Sequence, residues 1–297
     1  VVSPPVNTPE LLRIDVGDTE LGVIRWHGDP GAPVVFAVHG ITANAWSWSG
    51  VARHLDGAVT LVGVDLRGRG TSSAAPGPYG MRRHGDDLAQ IVERFNAAPA
   101  VVTGHSMGAY VALAAAERHP AIIDDLVLID GGVALELPDG KSSQEALDAL
   151  VGPAVERLQK VWTDRVSYRT MWSEHPAFAD GLTPEIERYV LSDLVEVEGG
   201  FRSIVDESAV RFDGLQLLID DEMRMLLDRR RQPVTVLRAE TGIMATPPPL
   251  MPVELIERYP HHDWRTIAGT NHYTVLIGED GAAAVAKALL DTINSRA

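Results

Sequence analysis

Three observations predict an α/β protein with a mostly parallel central sheet, helices on both faces and a helical insertion late in the sheet. Short, almost wholly apolar runs, expected of strands buried on both faces, begin at Pro33 (PVVFAVHG), Val59 (VTLVGVDL), Ala100 (AVVTG) and Asp125 (DLVLID). Amphipathic stretches at residues 44–55, 81–96 and 107–119 lie between them, so strand, helix and strand repeat with right-handed crossovers. After Asp130 the alternation stops for about a hundred residues and then resumes.

Taken in order, ELLRIDVG from Glu10 and LGVIRWHG from Leu21 read as a hairpin that opens the sheet. From Ser142 to Phe212 the pattern is helical throughout. Ser142 and Glu145 form a capping box, and Leu147, Leu150, Val151, Ala154, Val155 and Leu158 keep helical spacing. Gly152-Pro153 is expected to break or kink that helix, and Thr183-Pro184 to start another. PVTVLRA from Pro233 and DWRTIAG from Asp263 restore the sheet, and an Ala-rich helix over residues 281–293 closes the chain. The expected division is a core of residues 1–132 and 233–297 with a helical cap at 133–232. No internal repeat is visible, and TPPPLMP from Thr246 is a loop.

Composition removes several classes of function. With 297 residues and 45% apolar content the chain can bury a full core. A formal charge of −15, with no Lys/Arg cluster to offset it, argues against nucleic acid as a partner. No apolar run reaches membrane-spanning length, and VVSPPVNTPE lacks the pattern of a secretion signal, so a soluble, cytoplasmic protein is expected. The absence of cysteine removes disulfides, thiolate nucleophiles and Cys-ligated metals, while leaving either redox compartment open. His261, His262 and Asp263 are adjacent and point apart, which suits a solvated turn better than a metal site; neither metal nor cofactor is expected.

The most informative stretch is Gly104-His105-Ser106-Met107-Gly108, a G-x-S-x-G set between a buried strand and a helix. A serine at such a corner projects its hydroxyl above the sheet, and the flanking glycines let strand and helix approach without colliding side chains. Together with FAVHGITANAWSW from Phe36, GVDLRGRGTS from Gly63 and GTNHYTVL from Gly269, this motif resembles the α/β-hydrolase superfamily from about residue 10 to the C-terminus. The resemblance implies a serine hydrolase whose cap follows the sixth strand, with Ile41, after His39-Gly40, as one backbone oxyanion donor.

A serine hydroxyl attacking a carbonyl needs a base, and a neutral imidazole suits that task. His272 is the candidate, because it follows the last predicted strand and preserves the chain order of nucleophile, acid, histidine. His39 and His105 read as packing residues beside the motifs, and His84 lies on a helix. Met107, directly after the nucleophile, is expected to supply the second oxyanion N–H. Asp65, Arg67 and Arg69 are expected to knit loops. The acid is open between two residues. Relatives commonly place it after the seventh strand, but that pattern laid over PVTVLRAETG puts Gly242 there, with Glu240 two residues short. Asp130, at the end of DLVLID, matches a minority arrangement and is the preferred acid, with Glu240 the alternative.

A serine rather than an aspartate at the elbow disfavours halide and epoxide chemistry and points to acyl transfer. The expected reaction is hydrolysis of an ester or lactone of a small, uncharged, moderately hydrophobic substrate through an acyl-serine. Carbon–carbon bond hydrolysis of diketones and a receptor role on the same fold are the alternatives. Trp46, Trp48, Trp162 and Trp172 are expected to line the substrate pocket, and no convergent cationic pair is visible in the sequence.

Overall fold

The computed structural model of the chain describes residues 7–134 and 142–296. Residues 1–6 of the stretch read for a secretion signal, residues 135–141 of the expected cap and residue 297 therefore lie outside the described residues.

Ten strands are described: β1 (Pro9–Asp15), β2 (Glu20–Trp26), β3 (Val34–Val38), β4 (Thr60–Val64), β5 (Ala100–His105), β6 (Ile123–Ile129), β7 (Leu194–Val197), β8 (Gly200–Ser203), β9 (Thr235–Ala239) and β10 (Asp263–Ile267). Eight form one sheet in the order β1-β2-β4-β3-β5-β6-β9-β10. The hairpin β1–β2 pairs antiparallel, β2 joins β4 antiparallel, and every pairing from β4 to β10 is parallel. The helices are α1 (Ser49–Leu55), α2 (Met81–Arg94), α3 (Met107–Arg118), α4 (Ser143–Gln159), α5 (Arg165–Ser173), α6 (Pro184–Leu191), α7 (Glu207–Ile219), α8 (Asp221–Arg224), α9 (Leu226–Arg229), α10 (Glu254–Arg258), α11 (Thr274–Ile277) and α12 (Glu279–Asn294).

The two faces of the sheet follow from strand periodicity. Phe36, Val38, Val62, Val64, Val102 and Leu128 pack with α2 and α3, whereas their neighbours Val35, Ala37, Leu61, Val101, Val127 and Ile129 pack with α1 and α12. Both faces are thus covered, which is why these runs read as continuously apolar.

Between β6 and β9 the described chain adds no strand to the large sheet. The Ser142 capping box forms as expected, and Thr183 caps α6 with Pro184 in its first turn. Two expectations are corrected: Gly152-Pro153 does not break the helix, and the segment is not helical throughout. Helix α4 runs unbroken through Pro153, because Leu147, Val151, Val155 and Leu158 bury one continuous face with Val205, Val210 and Leu218. That packing outweighs the ~3 kcal/mol a helical proline costs. The segment is also not wholly helical: β7 and β8 form an antiparallel hairpin, turned at Gly199 and Gly200 with φ of 87° and 145°. The Gly-Gly turn after Leu-Val-Glu-Val was the available signal.

The residues 207–219 helix is fastened to the core by Asp213. Its carboxylate accepts from Gly80 N at 2.7 Å, pairs with Arg69 Nη1 at 2.6 Å and meets His84 Nε2 at 3.0 Å. The side chains of Arg69, His84 and Asp213 are completely buried. Burial pushes the Asp213 carboxyl up, but the charges of His84 and Arg69 and their hydrogen bonds hold it below its ordinary value. Asp213→Ala would leave the Arg69 guanidinium buried without its anion, an error that costs roughly 3–5 kcal/mol. Urea unfolding followed by circular dichroism should show that loss; a change below about 1 kcal/mol would mean that the pair is not the fastening described.

Candidate active site

Ser106 sits where β5 ends and α3 begins, with φ of 54° and ψ of −121°, a backbone conformation that costs a non-glycine residue roughly 1–3 kcal/mol. Its neighbours show why the chain tolerates it. A Cβ on Gly104 would lie 2.1 Å from Gly108 O, and one on Gly108 would lie 2.2 Å from Val38 O. Both glycines carry the close approach that the motif implies. Gly131 does the same, since a Cβ there would lie 2.2 Å from Ser106 O, but in sequence a Gly after a strand-end aspartate reads as an ordinary turn.

His272 lies between β10 and α11, on a loop shaped by Asn271. The Asn271 side chain accepts from Tyr273 N at 2.9 Å and Thr274 N at 3.1 Å and donates to Ala177 O at 3.0 Å. The main-chain carbonyl of His272 receives a hydrogen bond from His105 Nε2 at 2.8 Å. Burial lowers His105 to about 3, so that ring stays neutral and works as a fixed donor.

Serine, imidazole and carboxylate form one hydrogen-bonded chain. His272 Nδ1 is 2.7 Å from Asp130 Oδ2, and His272 Nε2 is 3.1 Å from Ser106 Oγ. Asp130 is fully buried just beyond β6 and also accepts from Ala239 N at 3.1 Å. Burial raises its carboxyl, yet the hydrogen bond and charge of His272 outweigh this and hold it below the ordinary carboxylate value. The ionised carboxylate requires the proton on Nδ1, which leaves the Nε2 lone pair facing the serine hydroxyl. Glu240 does not join this chain. It is exposed, and its carboxylate accepts from Gly269 N at 2.8 Å, steadying the loop ahead of His272 from outside.

The Ile41 and Met107 N–H groups make no hydrogen bond among the described residues, and both residues line the same cavity as Ser106. The Ile41 strap is held from several sides. His39 Nδ1 donates to Gly40 O at 2.7 Å while its Nε2 accepts from Leu66 N at 3.1 Å, and Arg69 Nε donates to Ile41 O at 2.9 Å. Burial lowers His39 to about 3, which fixes that arrangement as neutral. The expectation that Asp65, Arg67 and Arg69 knit loops agrees with their contacts: Asp65 accepts from Ala45 N and Thr71 N, and Arg67 pairs with Asp87 and Asp18.

The cavity measures about 620 Å³ and is lined by Trp162 and Trp172 from the segment between β6 and β9. Trp46 and Trp48 are not among its lining residues. Asn44 caps the short turn over Ala45–Trp48, Trp48 is completely buried in the core beside α1, and Trp46 sets its ring edge against Trp26 with Arg188 above it. Nearness in sequence to Ile41 did not carry them into the pocket, because the turn redirects both side chains.

The wall is also more polar than the sequence indicated. Arg157, in the last turn of α4, and Lys160, the residue just beyond it, both line the cavity, as does Glu156. Spacing on an amphipathic helix could not reveal that Arg157 lies on the buried side. Elsewhere, His261 is exposed, but His262 is buried against Tyr259, so the pair does not form the fully solvated turn expected; burial lowers His262 to about 4. Among the described residues no group of three His, Cys, Asp or Glu is arranged to hold a metal ion, and no helix is long and apolar enough to cross a membrane.

The family model for the α/β-hydrolase fold matches residues 33–279. Over 198 residues the chain is 26% identical to the 2-(acetamidomethylene)succinate hydrolase of Mesorhizobium japonicum, covering 67% of this chain and 66% of that protein. It is 32% identical over 150 residues to lipase LipV of Mycobacterium tuberculosis, covering 48% of this chain and 56% of the lipase. These alignments therefore span between about half and two thirds of the curated relatives. The crystal structure of E-2-(acetamidomethylene)succinate hydrolase superposes on 97% of this chain and 100% of its own with a TM-score of 0.77 at 22% identity, a likeness of fold. With that match across the sheet, the elbow and the histidine loop, the chain belongs to the α/β-hydrolase family.

Proposed function

We propose that this chain is a serine hydrolase that cleaves a carboxylic ester or lactone of a small substrate through an acyl-serine intermediate. The observation that carries the reading is the continuous chain from Ser106 Oγ through His272 to Asp130, opening on a cavity that Ile41 and Met107 also line. The named relatives, a lipase and a hydrolase of a succinate derivative among them, support hydrolysis without choosing the bond.

In this reading His272 Nε2 takes the proton as Ser106 Oγ attacks the carbonyl, and Asp130 stabilises the imidazolium. Charge on the carbonyl oxygen is met by the N–H groups of Ile41 and Met107, with Arg69 and His39 fixing the strap from behind. Collapse of the tetrahedral intermediate expels the alcohol, which takes the proton from His272. Water then repeats the sequence on the acyl-serine. Residues 133–232 act as a cap whose Trp162 and Trp172 exclude bulk water from the cavity.

Ser106→Ala should lower turnover of a short-chain p-nitrophenyl ester by at least ~10⁴-fold with an unchanged fold, and a fluorophosphonate should label wild type at Ser106. Retention of full activity would remove serine from the mechanism. A single burst followed by a stable acyl-enzyme would instead mark a binding protein, since an enzyme releases many products per serine.

Activity should climb with pH along one limb. His272 accepts a proton only when neutral, so protonation at low pH removes the base, whereas buried His39 and His105, lowered to about 3, do not change charge at working pH. A kcat/KM profile that is flat from about pH 5 to 9 would exclude His272 as the base.

The acid is tested by comparing Asp130→Asn with Glu240→Gln at equal folded concentration. The first should lose ~10³-fold or more in kcat and the second under about tenfold; the reverse ranking would transfer the role to Glu240.

A further inference from the structure

The part of the cavity wall farthest from expectation is the polar cluster around Arg157. Its guanidinium lies 5.1 Å above the Trp172 ring, with Nη1 bonded to Tyr168 Oη at 2.7 Å and to Asp193 at 3.0 Å. Nε and Nη2 have no hydrogen-bond partner among the described residues and are not sealed from the cavity. The same holds for the hydroxyls of Tyr189 and Tyr273, although Tyr189 itself is only 7% exposed. His175 adds a fifth donor. Its Nδ1 accepts from Ala177 N at 3.1 Å, so in the neutral ring the proton sits on Nε2, which is likewise without a protein partner. Burial and the charge of Arg157 lower the His175 pKa and favour that neutral form.

These groups line the same cavity as Ser106, and the rings of Trp172, His175 and Tyr273 lead toward His272. Trp172 and Tyr273 ring centroids are 6.0 Å apart, His175 and Tyr273 5.5 Å, and Tyr273 and His272 6.0 Å. We propose that Arg157, Tyr189, Tyr273 and His175 form a carboxylate-binding subsite, so that the substrate cleaved at Ser106 carries a free carboxylate beside the ester or lactone bond.

Two features favour a carboxylate over a neutral acyl chain, and the local charge limits the anion. An apolar group there would leave five inward donors desolvated and unmet, each costing about 1–3 kcal/mol. The Nε and Nη2 edge of a guanidinium matches the two oxygens of a carboxylate in a bidentate pair. The charges there sum to zero, Arg157 against Asp193 and exposed Lys160 against exposed Glu156, so a carboxylate is held by the directed donors rather than by surplus positive charge, and a dianionic phosphate would bring twice the charge with no cation to offset it. Ile41, Met107 and Trp162 supply apolar wall elsewhere in the cavity, which receives the carbon chain between the two ends. This inference rests on the hydrolase reading and replaces the sequence-based expectation of an uncharged substrate.

The test compares p-nitrophenyl monoesters of succinic, glutaric and adipic acids with the same esters capped as methyl esters. For at least one chain length, wild type should show kcat/KM at least about tenfold higher for the free acid, mostly in KM. Tyr189→Phe and Tyr273→Phe should each lower that acid-to-capped ratio roughly threefold or more, and Arg157→Met should bring it to one or below, with Arg157→Lys intermediate. A purely structural Arg157 would lower both esters together and leave the ratio intact, as any misfolded fraction would. A wild-type ratio near one at all three lengths, or a ratio that survives Arg157→Met, overturns the subsite. If neither ester turns over, the hydrolase reading fails by itself. The subsite is then judged by titrating wild type with the monomethyl and dimethyl esters of the three diacids while following tryptophan fluorescence: saturation by the acid form alone supports it, and equal or absent response to both overturns it.

Discussion

Everything at this site depends on how closely the backbone can approach Ser106. A serine at φ of 54° is stable only because three glycines remove the side chains that would strike Gly108 O, Val38 O and Ser106 O. The strain is local and is held by the two most extensively buried layers of the molecule, β5 within the parallel sheet and α3 against it. That is the physical reason a hydroxyl can stand above the strand ends rather than lie along them. Once it does, the position of the other groups is a question of which loops emerge from the same edge: β6 delivers Asp130, and the loop after β10 delivers His272.

A second layer of buried polar groups holds those loops in register. His39 and His105 are neutral rings whose burial fixes them as hydrogen-bonding struts, one behind the Ile41 strap and one behind the His272 carbonyl. Arg69 reaches the same strap and, through Asp213, the helix over residues 207–219. The Ile41 strap and the segment between β6 and β9 are therefore joined by a charge pair that has no solvent to fall back on. Such a link adds little stability against an apolar alternative, but it sets one geometry, because any displacement exposes an unpaired charge.

The cavity beside the serine is lined by aromatic side chains from the segment between β6 and β9, Trp162 and Trp172 among them, and Arg157, Tyr189 and His175 of that segment line it together with Tyr273 from the histidine loop. An apolar lining alone would select by size. Donors without protein partners select by chemistry, since a ligand that fails to answer them leaves them desolvated.

The fold and the centre of the site were legible in the residues themselves, for reasons that are local. Strands buried on both faces must be continuously apolar, a strand-to-helix corner around a serine needs Gly104 and Gly108, and His272 follows the last strand of the sheet. The hairpin of β7 and β8, the unbroken path of α4 through Pro153, the departure of Trp46 and Trp48 from the pocket and the inward face of Arg157 were not legible. Each depends on a surface supplied by residues far away in sequence: the Val205–Leu218 face that α4 packs against, the Asn44 cap and core that take the tryptophans, and Asp193, which pairs with Arg157. The acid shows the division most clearly. Sequence alone allowed Asp130 or Glu240, and only the pairing of β6 with β9, which sets Ala239 N against Asp130, together with the hydrogen bond from Gly269 N that holds Glu240 outside, brings one carboxylate to His272.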